Sequence, residues 1–418
     1  MNAKISVSLV AALAAAAASA DLMDRERGIK IGERLTLEPR VSFSYTYDSN
    51  VDSSKHSRSG SMWNVNPNLS AVYLGDGWNV KFDVHYMYHA YNHYSSQLNT
   101  STYGERLSFD WADSLPNEPG WRVLFAEKFD RIAQDDDMSN DGGRGIGRDR
   151  KQFTAEGVVE RRLSSWLHAN VNASYYFLEY DNNVNKYAPL YGWKRAQVGG
   201  EIGAMASKWT DFILSGGYQW FWQDNDRDYY NHISERIGKR VNGESTGWYI
   251  MGGIATRATE KLAYRILGGY SRFDFSKGAH EEGGFTYQAS LDYQADAENT
   301  LHFMMLASSY YQPSEREFGS ATKVYNFTAG VAKGLVRNKL RATVDFAYRH
   351  ETHEYVQYLE DDYDSDIWTG RVGLAYSINR FVSIFGRVEY QSQEASRVSR
   401  NGYDYDRWRG TVGFSLSY

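Results

Sequence analysis

The chain closes on an unbroken alternation. From Trp408 the even positions are Trp408, Gly410, Val412, Phe414, Leu416 and Tyr418, while the odd positions are Arg407, Arg409, Thr411, Gly413, Ser415 and Ser417. Successive side chains of a β-strand point to opposite faces, so this segment has one face for an apolar medium and one for water. The pattern recurs. Val80, Phe82, Val84, Tyr86 and Tyr88 alternate with Lys81, Asp83, His85, Met87 and His89. Leu340 to Tyr348 alternates with Arg341, Thr343, Asp345, Ala347 and Arg349, and Trp368 to Tyr376 alternates with Thr369, Arg371, Gly373, Ala375 and Ser377. Leu35, Leu37, Val41, Phe43 and Tyr45 alternate with Thr36, Glu38, Arg40, Ser42 and Ser44. Three segments, 121–132, 262–275 and 301–311, fit less cleanly, and a β-bulge in each would account for the slip.

The connections fall into two sets that take turns. Short ones include Gly75-Asp76-Gly77, Ser164-Ser165, Ser207-Lys208, Thr259-Glu260 and Asn379-Arg380. Long, charged ones lie near 49–61, 91–102, 133–150, 181–191, 224–245, 275–284, 312–322, 350–366 and 393–406. Short periplasmic turns and long outer loops are the habit of outer-membrane barrels. A soluble β-sandwich has no reason to sort its loops this way. The chain therefore reads as all-β: a transmembrane antiparallel up-and-down β-barrel of about eighteen strands over 35–418, with both ends in the periplasm.

Composition agrees. After residue 20 there is no run of eighteen apolar residues, which excludes helical spans, and mean hydropathy is only −0.60. Aromatic content is nevertheless 15 %, with 33 Tyr and 12 Trp, beside 37 Gly, 6 Pro and no Cys. That suits strands that show lipid every second residue. Trp78, Trp121, Trp166, Trp209 and Phe381 sit beside short turns, and Tyr45, Trp63, Trp193, Trp220, Trp248, Trp368 and Trp408 lie toward long loops. These predict two interfacial girdles. A net charge of −6 gives no sign of a nucleic-acid partner.

Residues 1–20 combine Lys4, an apolar run from Ile5 to about Ala17, and Ala18-Ser19-Ala20. This is the pattern of a cleaved signal peptide, so the expected location is the bacterial outer membrane after Sec-type export. Residues 21–34, charged and without alternation, read as a short periplasmic tail rather than a plug.

Inside such a barrel the inward positions of the last strands carry Arg341, Arg349, Arg371, Arg387, Arg407 and Arg409, opposed by Asp345 and Glu389. Arg40 and Glu38 join them on the first strand. An excess of one sign concentrates counter-ions, which suggests a channel for passive diffusion of polar or anionic solutes. The alternative is that the charges pair across strands and stiffen a wet wall. A barrel-embedded hydrolase would need a nucleophile and a base. His85, His89 and Asp83 share a strand, but neither Gly-x-Ser-x-Gly nor His-Glu-x-x-His occurs, so no enzyme, cofactor or metal is expected. An adhesive or structural barrel is the third class. The glycine-rich run at 142–145 lacks the Lys-Ser/Thr of a phosphate loop, and the acidic runs at 135–137 and 360–366 match no calcium-loop spacing. The glycine-dense strands around Gly199, Gly216, Gly252 and Gly268 suit close packing of the sheet.

The opening strand ends in Tyr47-Asp48-Ser49-Asn50-Val51. It resembles the first strand of the β-barrel porin family often encoded with exopolysaccharide genes, which ends in a Tyr-Asp-x-Asn-Val-like turn. Asp and Asn suit such an exit because their side chains bond nearby backbone groups. The resemblance implies an outer-membrane channel, with exopolysaccharide export as an alternative function. The strand estimate and arginine stripe are also similar in architecture to the alginate exporter. Tyr418, with Phe414 and Leu416, resembles the C-terminal assembly signal of outer-membrane proteins, which implies the barrel-assembly machinery as a partner. Further partners expected are outer-membrane lipid and lipopolysaccharide, and a small polar solute or a polysaccharide.

Overall fold

In a computed structural model, the described residues are 28–51, 58–92, 99–113, 118–133, 149–180, 192–223, 244–275, 282–295, 301–313, 321–336, 339–353, 363–396 and 404–418. The expected signal, the first part of the tail and most of the long loops lie outside them. The strands are β1 (Ile29–Ile31), β2 (Leu35–Asp48), β3 (Gly60–Leu74), β4 (Trp78–Tyr91), β5 (Thr100–Ala112), β6 (Gly120–Ala133), β7 (Arg150–Arg162), β8 (Leu167–Tyr180), β9 (Trp193–Ser207) and β10 (Thr210–Gln223). They continue as β11 (Ser245–Arg257), β12 (Leu262–Phe275), β13 (Glu282–Gln294), β14 (Leu301–Pro313), β15 (Ala321–Leu335), β16 (Leu340–His353), β17 (Tyr363–Ser377), β18 (Val382–Ala395) and β19 (Tyr405–Ser417). Each pairs antiparallel with its sequence neighbours, and β19 pairs with β2, so the eighteen strands β2–β19 close into an up-and-down barrel.

Parity works as the sequence predicts. Val412 is 63 % exposed on the outer face and Trp408 53 %, whereas Arg407 is 1 % exposed on the inner face. Outer aromatics pack against one another in two bands. Tyr45–Trp63, Tyr348–Trp368 and Tyr390–Trp408 have ring centroids 4.9, 4.0 and 4.5 Å apart at the long-loop end. Tyr73–Trp78 and Phe381–Tyr418 lie 4.9 and 5.6 Å apart at the short-turn end.

Two expectations are corrected, and the tail gains a short strand. Gly32, at φ +71°, turns Ile29–Ile31 back onto Leu35–Leu37 as β1. A left-handed residue there is cheapest as glycine. The suspected bulges are absent, since β6 runs in continuous register with β5 and β7, and β12 with β11 and β13. β14 is likewise unbroken along β15. Among the described residues, the one register shift falls at Thr210/Asp211. Alternation blurs in these segments because the faces themselves are mixed. Leu124 and Leu267 point inward while Glu127 and Arg131 point outward, as their cross-strand partners show. Trp193, expected in the outer girdle, faces inward and stacks on Tyr176 at 4.3 Å.

Closure gathers on the Tyr47–Val51 turn. Asp48, fully buried, takes Arg407 Nε at 3.0 and 2.9 Å on its two carboxylate oxygens, and Arg407 Nη2 as well. Arg409 Nε reaches the same carboxylate at 3.0 Å, and the Asn50 backbone N–H donates to it at 2.9 Å. Around it, Ser49 N–H donates to the Trp408 carbonyl at 2.9 Å, and Trp408 N–H donates to Ser49 Oγ at 2.7 Å. Asn50 Nδ2 donates to the Asp406 carbonyl at 3.1 Å. The motif thus welds the first barrel strand to the last. Removing one partner of a buried ion pair leaves an uncompensated charge and costs about 3–5 kcal/mol. Asp48→Ala is therefore expected to lower the urea midpoint of the refolded barrel, read by heat-modifiable gel mobility. Asp48→Ala combined with Arg407→Met should recover much of the loss. A single variant as stable as the parent would contradict the assignment.

Candidate pore wall

All ten charged positions anticipated from alternation lie on the inner face, though not as an unopposed stripe. Glu389 on β18 takes Arg371 Nε at 2.6 Å, Arg387 Nη2 at 2.9 Å and Arg409 Nη1 at 3.7 Å. Arg409 thereby spans Glu389 and Asp48, linking β18, β19 and β2 in one network. Arg349 pairs with Glu351. Two carboxylates thus join Asp345 and Glu389, one from β2 and one near the end of β16. Arg371 lies cross-strand from both Asp345 and Glu389, and the Asp345 carboxylate lies over Gly330. Arg341 and Arg40 have no ion pair among the described residues, and Glu38 lies opposite Ser70. Pairing and surplus charge therefore coexist. The four guanidinium groups of Arg371, Arg387, Arg407 and Arg409 share the carboxylates of Asp48 and Glu389.

Next to this wall, β2 and β3 carry a run of neutral polar groups. Ser42, Ser44 and Thr46 face inward beside Asn64, Asn66, Asn68 and Ser70. Asn64 Nδ2 donates to Ser44 Oγ at 3.1 Å and to Thr46 Oγ1 at 3.0 Å. His89 bonds Asn64, whereas His85 sits 3.1 Å from Asp130 on β6 and lies against Gly104. The two histidines thus belong to separate wall contacts, and Asp83 pairs with Ser70 rather than with either.

Across the lumen the wall changes character. On β8 to β10, Leu178, Trp193 and Phe221 cluster with Tyr176. On β10 to β12, Ile213, Tyr249, Met251 and Leu267 form a second cluster, and Leu306, Tyr310 and Val324 a third. Glycines make room for these rings. A Cβ at Gly217 would come within 2.7 Å of the Tyr249 ring, so Tyr249 lies flat along the wall. Arg265 on β12 reaches Glu201 on β9 with Nη1–Oε1 at 3.0 Å and a second bond from Nη2, a strap across two intervening strands. Sequence parity alone marks these residues as inward but says nothing of their partners.

At the short-turn mouth a recess of about 990 Å³ is lined by Asp110, Asp113, Glu118, Glu160, Glu201 and Asp211 together with Arg122, Arg161 and Arg162. Arg122 forks onto Asp110 at 3.1 and 2.8 Å. Carboxylates thus outnumber arginines in this recess, whereas arginines prevail on the inner face of β16–β19. The three residues expected from sequence to form a C-terminal assembly signal also have defined places. Phe414 stacks on Phe43 at 5.3 Å, Leu416 faces outward, and Tyr418 N–H donates to the Pro39 carbonyl at 3.1 Å.

A closed barrel with outer girdles and a polar, charged inner wall defines an outer-membrane barrel of the porin type. The chain belongs to the family described as "Putative beta-barrel porin 2", whose profile matches residues 206–417. Comparison with curated proteins finds no match. Among solved structures, the apoprotein form of the FrpB iron transporter (F5-1 variant) from Neisseria meningitidis has a TM-score of 0.50 at 9 % identity, covering 93 % of this chain and 82 % of its own. The outer membrane protein opdK from Pseudomonas aeruginosa gives 0.42 at 11 % identity, covering 91 % and 99 %. The first of these likenesses supports the barrel fold alone.

Proposed function

We propose that the barrel is a passive diffusion channel for polar and anionic solutes, saccharides among them. The observation that carries this is the arginine-rich wall of β16–β19, where three guanidinium groups surround Glu389 and Arg341 stands without an ion pair among the described residues. A low-dielectric shell around a charged lumen focuses its field and raises the local concentration of counter-ions. The run of amides and hydroxyls on β2 and β3 offers donors and acceptors side by side, which suits hydroxyl-rich solutes. That same run, from Asn64 to Ser70, also favours a second reading, export of an exopolysaccharide chain through the lumen.

In a salt gradient across a planar bilayer, the channel is expected to reverse at a potential set by the anion. Arg371→Gln with Arg387→Gln should move the reversal potential toward the cation value. Clear cation selectivity of the parent protein would overturn the proposal. Liposome swelling in oligosaccharides of rising length separates the two readings, because export of a chain requires entry of long ones.

The same proposal takes residues 1–20 as the cleaved export signal. It takes Phe414, Leu416 and Tyr418 as the segment bound by the barrel-assembly machinery. Deleting Tyr418 is expected to lower the assembled fraction in outer-membrane preparations by several-fold, and an unchanged fraction would remove that assignment.

A further inference from the structure

The outer face of the barrel carries few charges, and one group of them lies together. Counting inward from the long-loop end, Tyr103, Arg131, Lys151 and Glu179 are successive cross-strand partners on β5, β6, β7 and β8. One row deeper the partners are Glu105, Phe129, Phe153, Phe177 and Lys194, the last on β9. All share the outward parity of Tyr103, Val159, Val171 and Val198, which are exposed on the lipid face.

Arg131 and Lys151 stand directly opposite each other. Like charges in that position destabilise a sheet unless something neutralises them. Lys151 has Glu179 at 3.5 Å, with both side chains half-exposed, whereas Arg131 has no acid within ion-pair distance among the described residues. Beneath them is an apolar floor. Phe153 stacks on Phe177 at 5.5 Å and tilts against Tyr175 at 6.4 Å. Glu105 and Glu127 flank this floor, at the depth where the rim gives way to lipid-facing residues. The clustering is local. On β17–β19 the outward rim carries Asp364, Asp366 and Asp406, with Tyr348 and Tyr390 donating to Asp366 and Asp406 at 2.6 and 2.7 Å.

We propose that the outer wall of β5–β9 holds an outer-leaflet lipid whose headgroup carries phosphate. The long-loop end of such barrels faces outward, which puts Arg131, Lys151 and Lys194 at the level of the headgroups. Guanidinium forks onto phosphate and ammonium binds it as a point charge. A shared phosphate would neutralise the Arg131–Lys151 pair. The acyl chains would lie on Phe129, Phe153 and Phe177. Glu105 and Glu127 accept hydrogen bonds, so they favour a lipid with amide or hydroxyl donors at its interface over a simple glycerophospholipid.

The test is native mass spectrometry of the detergent-purified barrel with bisphosphorylated lipid A, its dephosphorylated form and phosphatidylglycerol. The parent is expected to keep bisphosphorylated lipid A through collisional activation, at least ten-fold more than either other lipid. Arg131→Ser with Lys151→Ser and Lys194→Ser should lose that preference while keeping heat-modifiable mobility, and Arg131→Lys with Lys151→Arg should retain it. Equal retention by the triple variant, or equal binding of the dephosphorylated form, would overturn the proposal.

Discussion

No backbone N–H or C=O can be left unpaired in the hydrocarbon layer, so a sheet that crosses it has to close on itself. Everything else in this molecule follows from how that closure is made. Strands β2 and β19 are separated by nearly the whole chain, and their ladder from Arg409↔Asp48 to Ser417↔Arg40 closes the sheet. The Asp48 carboxylate stands at the outer end of this seam, with Arg407, Arg409 and the Asn50 N–H converging on it. A short turn motif is thereby both the exit of the first barrel strand and the anchor of the last.

Closure also fixes the interior. Eighteen strands enclose more space than side chains fill, so inward groups meet water or one another. On one side the answer is ionic: Arg409 joins the seam carboxylate to Glu389, and Arg371 and Arg387 complete the network. On the other it is steric, with inward glycines letting Tyr249 lie flat against the sheet. Rigidity of the wall and surplus positive charge come from the same arginines. Cross-strand pairing and a net positive wall are therefore not exclusive.

Much of this was legible in the residues because strand periodicity is geometric. Where polar and apolar positions alternated strictly, as in β2, β4, β16, β17 and β19, inside and outside followed directly. Where β6, β12 and β14 fail to alternate, their register is nevertheless continuous. Their inner faces hold apolar residues such as Leu267 and Leu306, packed against neighbours on other strands. A charged outer face on β6 blurred the pattern further. Position along a strand likewise placed Trp193 in a girdle, but only parity against Tyr176 and Phe221 decides its face. Contacts that cross several strands, such as Arg265 to Glu201, leave no local trace in sequence. The hairpin of β1 depends on one left-handed glycine, too small a signal to read beside a charged tail.

The central claim is the inside–outside map, and the absence of cysteine from the chain makes it directly measurable. Single cysteines at inward Asn66, Thr369 and Thr411 and at outward Val65, Trp368 and Val412 would be exposed to a charged, membrane-impermeant thiol reagent in proteoliposomes. The account predicts labelling at the first three positions and protection at the second three. Labelling of the outward set, or protection of the inward one, would contradict it.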